Sequence, residues 1–338
     1  MGGNALRHHT STRLHRQVYE GFSQRCLERL GALYPAKRID VIQAYGAKPD
    51  FGDCDILLES EGYNPFEAAE ALHALEVVRN GSVTSLGVVV NETPGVSLED
   101  NVFQVDLIAQ DSAGYSFAKN YFAFNDLGNL IGRIAHKQGL SHGHAGLRYY
   151  VRDGSHLLGD ILLTQDYDEA LDFLGYNCKR YAQGFKTLDE VYEFAASTPY
   201  FNVDIFLLDN RNHAARVRDR KRKTYMGFLQ WCEARPGLPA FDFPKDKSVW
   251  LARIAERFPR FTQELDSFRH AQAERLAIRQ VFNGEVLSRL SGLQGKELGG
   301  LMSRFKESFE SAEAFRDFVL SGGEGGIEQR VRELLATN

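Results

Sequence analysis

Apolar residues recur every fourth position near the start of the chain, at Leu14, Val18, Phe22, Cys26 and Leu30. They predict one amphipathic helix, capped by Thr12 and stopped by Gly31 and Pro35. The period then shortens to two. Strands are predicted over 39–44, from Asp53 onward, over 83–91 and over 101–110, with Pro94-Gly95 turning between the last two. Asn64-Pro65 carries the cap and first-turn chemistry of a helix over 66–77. The order helix, strand, strand, helix, strand, strand predicts a mixed sheet backed by helices on one side. Between 111 and 164, glycine-rich loops alternate with short strands over 147–151 and 157–163.

Helices dominate from there on. Thr187-Leu188-Asp189-Glu190 is a capping box, and Pro199 ends its helix. A long helix is predicted from Asn202, with a basic second half. Arg235-Pro236-Gly237-Leu238-Pro239 breaks the pattern and reads as a linker. Helices follow over 248–258, 262–282, 285–290, 296–309 and 312–320, with a last one beyond the hinge-like Gly322-Gly323-Glu324-Gly325-Gly326. Residues before Ser11 have no period and read as a mobile terminus, although Gly2-Gly3-Asn4 could fold back over a nucleotide site. The expected organisation is an α/β (α+β) head over 1–115, a mostly helical middle region with the basic helix over 116–235, and an all-helical body over 236–338.

Composition narrows the class. A chain of 338 residues, 43% apolar and 25% charged, is globular and holds more than one domain. The four cysteines are widely separated, which fits a reducing cytoplasm better than a disulfide framework. No stretch reads as a signal peptide or a membrane span, and Leu6 stands where N-myristoylation requires serine or threonine. A net charge of −5 argues against a protein that coats nucleic acid, so any such site must be a local patch.

The candidate chemistry centres on Tyr45-Gly46-Ala47-Lys48-Pro49-Asp50-Phe51-Gly52-Asp53-Cys54-Asp55. Along a strand, i and i+2 share a face, so Asp53 and Asp55 project side by side. Such a pair calls for a hard divalent cation with oxygen ligands, and Asp106 on a later apolar strand offers the third carboxylate. A second candidate is Arg216, Arg218, Arg220, Lys221, Arg222 and Lys223, locally balanced by Asp219 alone; this asymmetry suits phosphate binding, whereas a solvated helix face is the plainer reading. The histidines His136, His142 and His144 lack a cysteine or acid at zinc spacing, and a structural glycine loop is the favoured reading there, ahead of a substrate loop.

A glycine turn, Asp-x-Asp opening an apolar strand and a lone later Asp together resemble the polymerase-β-type nucleotidyltransferase superfamily. The resemblance covers roughly the first third of the chain. It implies a two-metal Mg²⁺ site, with Mn²⁺ as an alternative ion, on Asp53, Asp55 and Asp106, and a nucleoside triphosphate facing Gly46, Ala47 and Lys48. Gly46-Ala47 replaces the family's usual Gly-Ser or Gly-Gly, and the gap to the first acid is short. A second segment, from Asn283 to Gly299, resembles a helix-turn-helix in the RNA-binding bodies of CCA-adding enzymes and bacterial poly(A) polymerases. The Arg-Arg-Asp and Glu-Asp-x-x-Arg elements that select CTP and ATP in that family are absent. The expectation is an ATP- or other NTP-using transferase that extends a structured, tRNA-like RNA 3′ end without a template, with Arg216, Arg218, Arg220, Arg222 and Lys223 on the RNA. Two alternatives stand beside it: a toxin-type enzyme modifying a protein or small molecule, and a catalytically silent nucleic-acid-binding relative.

Overall fold

The computed structural model describes residues 4–90 and 101–336, so the predicted Pro94-Gly95 turn and the Gly2-Gly3 pair lie outside the described residues. Its first elements are β1 (Leu14–His15), α1 (Arg16–Leu33), β2 (Ile39–Val41), β3 (Asp50–Phe51), β4 (Asp53–Glu59), α2 (Pro65–Ala71), β5 (Ala74–Asn80), β6 (Val83–Val89) and β7 (Val102–Gln110). Five strands form one mixed sheet in the order β2-β4-β7-β6-β5, and only β4 and β7 run parallel.

Period-two alternation gives this sheet two different faces. Cys54, Ile56, Leu58, Leu86, Val88, Phe103, Val105 and Leu107 point one way and pack on Phe22, Cys26 and Leu30 of α1 and on Ala68, Ala69 and Leu72 at α2. On the other face, Leu57 and Ile108 meet Ile42, Tyr115 and Ala118, which closes only one end of that surface.

Helix α1 starts later than its four-residue repeat predicts. Steps of four drift by about 40° per step around a 3.6-residue helix, so the repeat cannot stay on one face. Val18 is accordingly exposed, while Tyr19, Phe22, Ser23, Cys26 and Leu30 form the buried stripe. Leu14 leaves the helix to pair with Phe51 in the β1–β3 ribbon, and Thr12 does not cap it. Asn64 caps α2 by accepting from the Phe66 amide, as predicted, but the helix ends at Ala71 instead of running to 77. His73 takes a left-handed φ of 53°, and the chain turns back as β5.

Two helices replace the loops predicted after 111: α3 (Tyr115–Phe122) and α4 (Leu127–Lys137). The glycines of α4 mimic a loop signal, yet Gly128 serves close packing, since a Cβ there would fall 2.2 Å from the Tyr121 carbonyl oxygen. Strands β8 (Leu140–Gly143), β9 (Gly146–Asp153) and β10 (His156–Thr164) form a second sheet. Helices α5 (Tyr167–Phe173), α6 (Cys178–Ala182) and α7 (Leu188–Ala196) follow, and Thr187 caps α7 by accepting from the Glu190 amide. The long helix predicted from Asn202 is instead broken. Asn202 opens a short 3₁₀ turn, a second turn follows, and Asn212 caps the first of two α-helices, α8 (His213–Arg220) and α9 (Lys223–Glu233).

The remaining elements are α10 (Val249–Arg257), α11 (Arg260–Val281), α12 (Gly284–Ser291), α13 (Gly295–Glu307) and α14 (Ala312–Ala336). The chain divides into two compact units, one reaching Tyr150 and resuming from Asp160 to Pro259, the other comprising Val151–Gly159 and Arg260–Asn338. The last crossing between the units falls at 259/260, and the 235–239 break lies inside the first unit. In the second unit Phe282, Leu287, Leu301, Phe305, Val319, Ile327 and Val331 share one core. Asn283 caps α12, Gly292 (φ 72°) ends it, and α13 follows, giving the predicted helix-turn-helix. Gly323 interrupts α14 with a φ of 52°, but Ile327 beyond it is fully buried in the same core, so this glycine run makes a fixed kink. No helix among the described residues is long and apolar enough to cross a membrane.

Candidate metal centre

Parallel pairing of β4 with β7 sets Asp55 directly beside Asp106, and Asp53 beside Gln104. The apolar neighbours of each acid are buried in the sheet's other face, which fixes the register and turns all three carboxylates the same way. The acids are half-buried, and each offers a ligand oxygen such that the three lie within 4.8 Å of one another. Gln104 Nε2 donates to both oxygens of Asp106 at 2.9 Å, and the Ser85 hydroxyl, opposite Asp106 in the β6–β7 register, bonds it as well.

Crowding leaves the trio short of positive charge. Burial, then Asp53 and Asp106, push the Asp55 carboxyl up to about 8. Asp106 is raised too, chiefly by burial, against the opposing hydrogen bonds from Ser85 and Gln104. Among the described residues, the cation acting on the pair is Lys48, whose own ammonium is driven down by burial and held up by Asp53 and Asp55. Its Nζ lies 4.5 Å from the centre of the Phe51 ring. Three carboxylates facing one partly desolvated lysine suit a hard divalent cation with oxygen ligands.

An aspartate in the unfolded chain titrates near ~3.9. Because the folded Asp55 holds its proton up to about 8, its contribution to the stability of the metal-free protein is fully present below the unfolded value and is lost as pH rises through that window. Melting in EDTA is therefore expected to fall from pH 5 to pH 8 more steeply for the native chain than for Asp55→Asn, and saturating Mg²⁺ should flatten the difference. Parallel curves for the two proteins in calorimetry would contradict it.

The turn before the acids is held from two sides. Arg16, at the start of α1, donates through Nε to the Lys48 carbonyl (3.0 Å) and through Nη2 to the Tyr45 carbonyl (2.9 Å). The Gly46 and Ala47 amides donate to the carbonyls of Phe185 and Lys186 at 2.8 and 2.6 Å. Those two amides, offered to a triphosphate on the sequence pattern, are thus already engaged, which leaves the Lys48 side chain as the group of this turn that faces the acids.

No protein-family model matches the chain, and no curated protein matches it in sequence. Its chemistry is read from its own residues.

The basic run divides into two kinds of residue. Arg218 Nε donates to Asp219 at 2.9 Å, and Arg222 Nη1 pairs with Asp126 at 2.5 Å. Arg216, Arg220, Lys221 and Lys223 make no ion pair among the described residues, and all but Arg216 are exposed. The run is tied to the acid-bearing region by contacts around the α3–α4 turn. There Phe124 and Asn125 both adopt left-handed φ values, the Phe124 amide donates to the Gln43 carbonyl, and the Asn125 amide group reaches Thr224 Oγ1 at 3.4 Å.

The three histidines do not form a metal group. His142 Nδ1 donates to the Gly128 carbonyl at 3.2 Å, and its ring packs among Phe117, Tyr121 and Tyr167. Burial pushes it down to about 4, so it is neutral near pH 7. His144 stacks on Phe122. Among the described residues, the acid trio is the one group of histidines, cysteines and acids placed to hold an ion.

Proposed function

We propose that the chain is a metal-dependent nucleotidyltransferase that adds one or a few nucleotides, without a template, to a structured RNA 3′ end. The observation that carries this reading is the convergence of Asp53, Asp55 and Asp106 within 4.8 Å on one sheet face. Asp53 and Asp55 would hold two ions and Asp106 one of them. Bound there, divalent ions supply charge neutralisation for the attacking and leaving oxygens of an in-line displacement.

The chain's own groups then have defined tasks. The acceptor hydroxyl oxygen bonds to the α-phosphorus as the bond to pyrophosphate breaks, and the hydroxyl proton passes to the Asp106 carboxylate. Burial, which raises Asp106, suits a carboxylate that accepts a proton. Lys48 would meet phosphate oxygens once an ion shares the carboxylates. The first third of the chain resembles the polymerase-β-type superfamily in this residue pattern, and the mixed sheet with α1 and α2 on one face is compatible with such a head. The helix-turn-helix of α12 and α13 supports RNA clasping by the second unit.

Charge supports an RNA acceptor. Reversal of Arg220, Lys221 and Lys223 to glutamate is expected to weaken RNA binding by roughly tenfold or more at low salt, the loss shrinking as salt rises, because counterion release supplies that affinity. Nucleotide affinity should change little. Equal RNA affinity at low salt, measured by filter binding, would return the run to a solvated face. The ion pairs of Arg218 with Asp219 and of Arg222 with Asp126 favour the alternative, transfer to a protein or small molecule, since they offset charge in the run.

The test is incubation of the full chain with each α-labelled NTP, Mg²⁺, and cellular RNA, DNA or protein. Label on RNA 3′ ends supports the proposal. Label on protein supports the alternative, and template-directed long products would overturn the template-free reading.

A further inference from the structure

Lateral register assembles two rows of side chains on the acid-bearing face. One row runs Glu76, Gly87, Gln104 and Asp53 across β5, β6, β7 and β4, and the next runs Val78, Ser85, Asp106 and Asp55. The segment before β1 lies along the first row, strand by strand. Over β5, the amides of Arg7, His8 and His9 and the His9 ring all donate to the buried Glu76 carboxylate at 2.6–3.2 Å. Over β6, Leu6 sits so close that a Cβ on Gly87 would lie 3.3 Å from its Cδ1. Over β7, the Ala5 amide donates to Gln104 Oε1 at 2.8 Å. Ser11 adds a second tether, accepting from the Gln104 amide and donating to the Gly52 carbonyl just before Asp53.

Gln104 is therefore shared. Only 2% exposed, it takes the Ala5 amide on its oxygen and spends its Nε2 on both oxygens of Asp106. A side-chain amide has one carbonyl acceptor and two N–H donors on opposite sides, so accepting from Ala5 fixes which end faces Asp106. We propose that Gln104 is a positioning residue for Asp106, and that docking of residues 5–9 sets its orientation, making the N-terminal segment part of the metal centre. The inference rests on the proposed metal site, where outer hydrogen bonds orient the ligands themselves. With Gln104 in place, Asp106 enters ion binding in one rotamer.

The experiment is Mn²⁺ titration of the full chain without substrate, read by the loss of free-ion signal in electron paramagnetic resonance. It compares Gln104→Met, Ala5→Pro, their double variant and Asp106→Asn. Methionine keeps the volume and removes the hydrogen bonds to Ala5 and to both Asp106 oxygens, whereas proline at position 5 removes the amide donor and leaves Gln104 itself in place. Gln104→Met should weaken Mn²⁺ binding by about tenfold, the lower end for an outer partner. Ala5→Pro should weaken it by roughly threefold, and the double variant should be no worse than Gln104→Met, because both act through one group. Hydrogen exchange in metal-free protein supplies a second readout, with faster exchange at Ala5 in Gln104→Met. If Asp106→Asn abolishes binding while Gln104→Met does not change it, the positioning inference fails and the metal site stands. An additive double variant would likewise overturn the coupling. If Asp106→Asn binds as the native chain does, the metal reading itself fails.

Discussion

Replacing Asp53, Asp55 or Asp106 with asparagine is expected to abolish the proposed nucleotide transfer, by about a thousandfold or more, while the protein stays folded. The magnitude follows from removing a carboxylate proposed to hold the ions that neutralise charge developing in the transition state. The fold survives because the carboxylates crowd one another: burial and the neighbouring acids already push Asp55 up to about 8. An amide removes that repulsion and keeps the shape. Their backbone pairing and the apolar residues between them, Cys54, Ile56, Val105 and Leu107, are untouched. Two substitutions together should cost little more than one, since the trio acts as a unit. Single-turnover transfer assays with circular dichroism melts check both halves. An Asp106→Asn variant of near-native activity would remove that residue from the site.

Asp219→Ala will destabilise the first unit more than any change at the acid site. Asp219 is fully buried, and its oxygens pair with Arg211 Nη2 and Arg218 Nε, each at 2.9 Å. Arg211 is nearly as buried and also donates to Tyr225 Oη, which itself donates to the Phe206 carbonyl. Without the carboxylate, the Arg211 guanidinium stays buried without its counter-charge. Such a loss costs about 3–5 kcal/mol, equivalent to a melting shift of about 10 °C for a unit of this size. Arg133 sharpens the effect, since burial first and then Arg211 already lower it to about 10. Adding Arg211→Met to Asp219→Ala should recover part of the loss. A denaturant midpoint within 1 kcal/mol of native for Asp219→Ala would contradict the account.

The acid trio was legible because strand alternation is strict. Asp53 and Asp55 two apart, with apolar residues between and beyond, can only share a face, and Asp106 among Val105, Leu107 and Ile108 reads the same way. What surrounds the trio was not legible. Gln104 is an ordinary polar position until the register puts it beside Asp53 and the N-terminal segment reaches its oxygen. Arg16 reads as a surface residue of α1, yet it fixes the turn carrying Lys48 from some thirty positions away. The one available signal was an arginine at the helix start with no apolar role. Errors in elements have a similar cause. The stretch after Pro65 fits either period, and only the left-handed His73 ends the helix there. The α4 glycines read as a loop because close packing against Tyr121 leaves no mark in the sequence. Asp219 was noticed as the run's lone acid, but its burial, and its pairing with the buried Arg211, depend on the α8–α9 fold.

On the proposed function, Asp53, Asp55 and Asp106 hold divalent ions. Anomalous diffraction from crystals of the native chain grown with Mn²⁺ and a non-hydrolysable nucleoside triphosphate tests it most directly. The account predicts two Mn²⁺ peaks roughly 3.5–4 Å apart, ligated by these three carboxylates and by phosphate oxygens, with Lys48 turned from the acids toward the phosphates. The absence of any peak among the three carboxylates at saturating Mn²⁺ would contradict it.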